Sequence, residues 1–203
     1  MPSMSVRLFY IVGPSGSGKD SLIDYVRSQL GTDAGTVFAK RTITRPAAAE
    51  GEDYFAVTVA EFEALLAAGE FAMHWSANGL RYGIGREIRD HLAEGRTVVV
   101  NGSREYLHRA RADFPGMQVV SVTAPAELLQ KRLASRGREN AQATAARLAR
   151  AASAAVRPGE AEFEIPNAGC MREAGEKLLD LLRGAGAGMK NRSKGNCLNA
   201  ADS

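Results

Sequence analysis

The eight residues from Gly13 to Asp20, Gly-Pro-Ser-Gly-Ser-Gly-Lys-Asp, constrain this chain more than any other stretch. Before them, residues 6–12 (VRLFYIV) form an apolar, β-rich run. After them, Leu22, Tyr25, Val26, Gln29 and Leu30 recur at the spacing of one helix face, and all but Gln29 are apolar. The sequence thus predicts a strand, a glycine loop and a helix. Glycines let backbone N–H groups converge on one point without obstruction from Cβ. The helix that follows adds a partial positive charge at its N-terminus, and Lys19 adds a full one. G-x-x-x-x-G-K is the phosphate-binding P-loop pattern. The candidate ATP-binding residues are therefore Gly13, Pro14, Ser15, Gly16, Ser17, Gly18, Lys19, Asp20 and Ser21. One letter is irregular. The strict pattern has Ser or Thr after the lysine, to hold Mg²⁺, and here Asp20 stands there.

At 203 residues the chain has the length of one domain. Net charge is +3, with 26 basic residues interleaved among 23 acidic ones. That suits an anionic substrate and argues against nucleic acid as a partner. No apolar run approaches the roughly 18 residues of a membrane span, so no membrane partner is expected. The glycine loop interrupts any signal-peptide core, and the two cysteines, Cys170 and Cys197, form no framework or metal-ligand spacing. These features point to a reducing, cytoplasmic setting. The sequence leaves the oligomeric state open, a homodimer included.

Further along, residues 36–40 read as a second strand and residues 40–55 as a basic, then acidic, loop. Thr58-Val-Ala-Glu61 is a capping box opening a helix with Phe62 inward. Residues 71–85 mix aromatic and polar groups with glycines, without a clear element. Core strands are expected at residues 97–100 and 119–123, with Ser103 capping the helix between them and Pro125 opening the next. Residues 136–158 are alanine-rich and dotted with arginines, as a surface helix or lid would be. A short strand over residues 162–165 and a leucine-rich helix over residues 172–183 complete the pattern, and residues 184–203 read as a disordered tail. The alternation predicts an α/β fold of the P-loop NTPase kind, with a parallel sheet and helices on both faces. The domain covers residues 1–183, with an acceptor-binding insertion at about 40–85 and a lid at about 134–150.

A second anion site is expected at Arg41, Thr44 and Arg45, with Tyr54 and Tyr82 as phenol donors. His74 and Asn78 are further candidates for contact with the acceptor. A third basic group, Arg132, Arg136, Arg138 and Arg147, brackets the start of the lid. Phosphoryl transfer relies on positioning and charge neutralisation, so Lys19, Arg136 and Arg147 are the candidate catalytic residues.

These blocks together resemble the guanylate kinase family. GPSGSGKDSL is similar to its P-loop, TITRPAAAEGEDYF to its acceptor-phosphate loop, NGLRYGIG to its GN-x-YG block, and RLASRGRE…ARLARA to its lid. The resemblance runs from about residue 6 to residue 167 and implies a kinase using ATP and Mg²⁺. Two departures stand out. The family carries a Glu that reads the guanine edge where Met73 or His74 stands here, and its core-strand acids match Thr97 and Val99. Asp20 is therefore expected to replace the missing charge near Mg²⁺, directly or through water, with Ser21 beside it. Within the family, GPSGSGKDSL, ITRP, HWSANGLRYG and VNGSREYL are more similar to the ribose 1,5-bisphosphate phosphokinases of bacterial phosphonate breakdown. That implies ATP-dependent phosphorylation of a small phosphorylated sugar, ribose 1,5-bisphosphate, to 5-phospho-α-D-ribose 1-diphosphate. A guanylate kinase-like nucleoside monophosphate kinase, and a guanylate kinase-like binding module without catalysis, remain the alternatives.

Overall fold

The computed structural model describes residues 7–31, 35–45, 54–135 and 159–184. In chain order the elements are β1 (Leu8–Val12), α1 (Lys19–Leu30), β2 (Thr36–Phe38), β3 (Arg41–Ile43), β4 (Tyr54–Ala56), α2 (Val59–Ala67), β5 (Phe71–Ala77) and β6 (Leu80–Gly85). Then follow α3 (Ile88–Ala93), β7 (Thr97–Asn101), α4 (Leu107–Asp113), β8 (Gln118–Thr123), α5 (Ala126–Ser135), β9 (Phe163–Pro166) and α6 (Met171–Leu182).

Five strands form a parallel sheet in the order β2-β7-β1-β8-β9. Its central strands are buried on both faces, which is why LFYIV and TVVV read as continuous apolar runs. Alternate side chains go to opposite sides. Leu8, Tyr10 and Val12 join one core with Ile88, Leu107, Ala110 and Phe114 of α3, α4 and the turn after α4. Phe9 and Ile11 join the other core, with Leu22, Ile23 and Val26 of α1 and Leu178, Leu181 and Leu182 of α6. Helices thus cover both faces, as expected. Each fully buried aliphatic side chain contributes about 1.5–3 kcal/mol, so these two cores fix the sheet edge on which the site is built.

The described ends of the segment read as a loop, with the indistinct stretch after it, belong instead to a second sheet, ordered β4-β3-β6-β5. The chain runs alongside β7 as far as Ala39, whose N–H donates to Val99 O at 2.9 Å, and then turns into β3. Arg41-Thr-Ile and Tyr54-Phe-Ala are too short for period-2 alternation to show against the polar residues around them. β5 and β6 form a hairpin whose turn is Asn78-Gly79, with φ of 51° and 74°. Asn-Gly is the strongest short-range hairpin signal, because both central residues of such a turn need positive φ. Asn78, expected to contact the acceptor, has its place explained by that turn.

The capping box is present as expected. Thr58 Oγ1 accepts from Glu61 N–H at 3.2 Å, and Glu61 Oε2 accepts from Thr58 N–H at 2.7 Å. Ser103 is a correction. It does not cap α4, which starts after Tyr106 with no side-chain cap. Its main chain instead grips Tyr10: the phenol donates to Ser103 O at 2.9 Å and accepts from Ser103 N–H at 3.0 Å.

Candidate active site

The loop between β1 and α1 is shaped by positions only glycine fills easily. Gly13 has φ of 154° and Gly18 has φ of 86°. A Cβ on Gly13 would run into Val122 O, and one on Gly18 into Asn167 Nδ2. Asn167, fully buried at the end of β9, donates from Nδ2 to Ser17 O at 2.8 Å, and its own N–H donates to Thr123 O at 2.7 Å. Two neighbouring strand ends therefore hold the loop from below. Lys19 Nζ donates to Gly13 O at 2.7 Å and Pro14 O at 3.1 Å, which places the ammonium at the centre of the loop. Ser17 is fully buried, whereas Ser21 is exposed on the first turn of α1. A glycine loop followed by a helix N-terminus offers N–H groups of the kind that take a phosphate chain.

Three cations converge on this loop. Lys19 is one. Arg132, on α5, donates from Nη1 to Gly16 O at 3.4 Å. Sequence reasoning grouped Arg132 with the lid and did not single it out, because its contact with the loop depends on how α5 packs. The third is Arg41, whose Nη2 donates to Asp20 Oδ1 at 2.9 Å. Asp20 Oδ1 also accepts from Asn101 Nδ2 at 2.6 Å. Asn101 closes β7 beside Ile11 and was missed in the sequence, since a single Asn after an apolar run has no motif of its own.

Several residues expected at the second anion site fall on one face of the smaller sheet. Arg41 pairs with Tyr54 on one side and Ile84 on the other, and Ile43 pairs with Tyr82, which pairs with Trp75. Register partners share a face, as do residues two apart. Arg41, Tyr54 and Tyr82 therefore line the face that carries buried Ile43, Met73 and Ile84. Arg45 closes the group: its guanidinium lies 4.6 Å from the centre of the Tyr54 ring, and its Nε donates to Tyr54 Oη at 3.3 Å. Tyr82 is stacked on Trp75, with ring centres 5.6 Å apart and planes 4° from parallel.

Thr44 stands apart from the expected arginine fork. Its Oγ1 accepts from Arg81 N–H at 2.9 Å and its N–H donates to Arg81 O at 3.1 Å, so it splices β3 to β6. His74 alternates to the opposite face from Tyr82 and Trp75, 6.4 Å between ring centres from Tyr106. Burial, and secondarily the charge of Arg109, hold its imidazole below the ordinary histidine range. Met73 is wholly buried in the core between the sheets. The resemblance calls for a base-reading carboxylate at Met73 or His74; the first is buried hydrocarbon and the second an imidazole, so neither supplies one. Arg136 and Arg147 lie outside the described residues.

The donors present fit a hard cation only in part through the protein. Among the described residues no group of three or more His, Cys, Asp or Glu comes together. Asp20 supplies one carboxylate, with both its contacts on Oδ1 and Oδ2 left for a further partner. Asn101 Oδ1 beside it is buried without a partner among the described residues. One carboxylate plus an orphan carbonyl suits Mg²⁺, which keeps several waters and binds mainly through substrate phosphates.

A parallel sheet with a glycine loop at its edge, a lysine inside that loop and a second basic face across from it define a P-loop phosphotransferase. The model of the family described as guanylate kinase matches residues 5–182. A ribose 1,5-bisphosphate phosphokinase of Thiobacillus denitrificans is 50% identical over 181 residues, covering 89% of this chain and 95% of that protein. Its counterpart from Azotobacter vinelandii is 44% identical over 180 residues, covering 89% of this chain and 97% of the other. Among solved structures, the crystal structure of guanylate kinase from Anaplasma phagocytophilum superposes with a TM-score of 0.67 at 20% identity, over 91% of this chain and 88% of that one, which supports the fold. The chain belongs to the guanylate kinase family and, within it, to the ribose 1,5-bisphosphate phosphokinases. No helix among the described residues is long and apolar enough to cross a membrane.

Proposed function

We propose that this kinase transfers the γ-phosphoryl group of ATP to the 1-phosphate of ribose 1,5-bisphosphate, giving 5-phospho-α-D-ribose 1-diphosphate and ADP. The observation that carries the reading is the pairing of two basic surfaces through Arg41 and Asp20, with Met73 wholly buried in the adjoining core. One surface is the loop with Lys19 and Arg132; the other is the face with Arg41, Arg45, Tyr54 and Tyr82. Each suits a phosphate, and among the described residues neither Met73 nor His74 offers a carboxylate to a purine edge. The names of the relatives point the same way.

In this reading the loop N–H groups and Lys19 bind the β- and γ-phosphates. Arg45 and Tyr54 orient the acceptor, and Arg41 stands between donor and acceptor. An oxygen of the acceptor phosphate attacks γ-phosphorus as the bond to the bridging β–γ oxygen breaks. That nucleophile is already anionic near neutral pH, so no general base is required. Mg²⁺, when bound through ATP and Asp20, neutralises charge on the phosphates. Arg136 and Arg147, on the lid at about residues 134–150, are the residues we assign to closing over the transferred group, within one kinase domain of residues 1–183. A role in phosphonate breakdown and a cytoplasmic setting are parts of the same proposal. Phosphorus NMR of a reaction with ATP, Mg²⁺ and ribose 1,5-bisphosphate tests it. A new diphosphate pair on the sugar is expected, and release of inorganic phosphate alone would refute it.

A further inference from the structure

Asn101 is 8% exposed, and its side chain is divided between two environments. Nδ2 donates to Asp20 Oδ1 at 2.6 Å, whereas Oδ1 is buried with no partner among the described residues. The orientation follows from chemistry. An ionised carboxylate only accepts, so the NH₂ end of the amide must face Asp20 and the carbonyl must face away. A buried acceptor left unpaired costs about 1–3 kcal/mol. Native structures keep few such groups, and each one asks for an explanation.

The strand end around Asn101 leaves it little room to turn aside. Gly102 N–H donates to Ile11 O at 2.9 Å. A Cβ at Gly102 would run into the Tyr10 ring, and Tyr10 holds both main-chain polar groups of Ser103. Burial pushes the Tyr10 phenol well above the usual tyrosine range, so it stays a neutral donor. Asp20 meanwhile receives Arg41 and Asn101 on the same oxygen, which turns Oδ2 outward.

We propose that Asn101 is a positioning residue for the Mg²⁺ of the bound nucleotide, an inference that rests on the kinase reading above. Its N–H fixes Asp20 so that Oδ2 serves as the ligand oxygen, and its Oδ1 accepts from a water of the cation's shell. P-loop NTPases commonly hold Mg²⁺ with a loop hydroxyl and a strand carboxylate. In this chain the two are exchanged: the carboxylate is on the loop side and a neutral amide is on the strand.

The test is Mn²⁺ binding to the full chain with ADP, followed by electron paramagnetic resonance without acceptor. Asn101→Ala is expected to weaken Mn²⁺ by about tenfold or more while metal-free ADP affinity stays within about twofold, the scale seen when a residue supporting a metal ligand is removed. Unchanged Mn²⁺ affinity would overturn the assignment. A second variant serves even if that one does not fold. Asp20→Ser with Asn101→Asp returns hydroxyl and carboxylate to their common places, and is expected to bind Mn²⁺ about tenfold better than Asp20→Ser alone. A double variant no better than Asp20→Ser would also overturn it. An error in the acceptor leaves these outcomes untouched, whereas failure of wild-type chain to bind ADP would overturn the kinase reading itself.

Discussion

Arg41 Nη2 lies 2.9 Å from Asp20 Oδ1, and this pair ties the smaller sheet to the phosphate loop. Both side chains keep access to solvent, at 18% and 40% of their surface. Such a pair stabilises a fold by no more than about 1 kcal/mol. Its importance is geometric: one guanidinium from the smaller sheet sits beside the residue that follows the loop lysine.

Arg41→Ala should therefore leave stability within about 1 kcal/mol of wild type. Its kcat/KM should fall by roughly 10²–10³, as when one preorganised donor to a developing charge is removed. Arg45→Ala should act mainly on the KM for the acceptor, since its guanidinium meets Tyr54 of the smaller sheet. Steady-state kinetics with each substrate varied in turn separate the two; equal effects on the KM for ATP would contradict the placement.

Gly18→Ala tests the loop itself. Its positive φ costs a side chain about 1–2 kcal/mol, before the clash with Asn167 Nδ2 is counted. That clash strikes the amide holding Ser17 O. Calorimetry should show both a lower melting temperature and loss of ADP binding.

Met73→Glu puts a carboxylate at one of the two positions, Met73 or His74, where the resemblance would place a guanine reader. The site is wholly buried among Ile84, Ile88 and Tyr10, so the charge has no water. A loss of at least about 3 kcal/mol in stability is expected, without gain of GMP phosphorylation. A stable variant active on GMP would show that Met73 marks a base pocket after all.

His74 makes a pH-dependent contribution. Burial and Arg109 lower its folded value below the ordinary 6.5. The unfolded chain then binds a proton that the folded chain does not. Stability is complete above the ordinary value and falls as pH drops through it toward the folded value. Between about pH 7.5 and about pH 5.5 the wild-type melting temperature should fall further than that of His74→Gln; parallel curves would contradict this.

Local signals carried the main sheet and the loop into view. Apolar runs such as TVVV, the capping box at Thr58 and the glycine spacing around Lys19 each act over a few residues, and the structure places all three as read. The smaller sheet was harder to read because its strands are short and its order comes from pairing across the insertion. Asn78-Gly79 was the one local sign of its hairpin. Residue types alone marked Arg41, Arg45, Tyr54 and Tyr82, and the structure gathers them on one face. Thr44 and His74 carried the same kind of mark, but strand splicing and alternation send them elsewhere. Arg132 and Asn101 depend on packing between elements distant in sequence, which no spacing rule reports.

The central claim is that both basic surfaces bind phosphates and nothing between them reads a nucleobase. The most direct measurement is kcat/KM with ATP and Mg²⁺ for ribose 1,5-bisphosphate and for GMP, side by side on the same preparation. Efficient turnover of the sugar bisphosphate with no measurable turnover of GMP is the expected result. Robust phosphorylation of GMP with none of ribose 1,5-bisphosphate would contradict it.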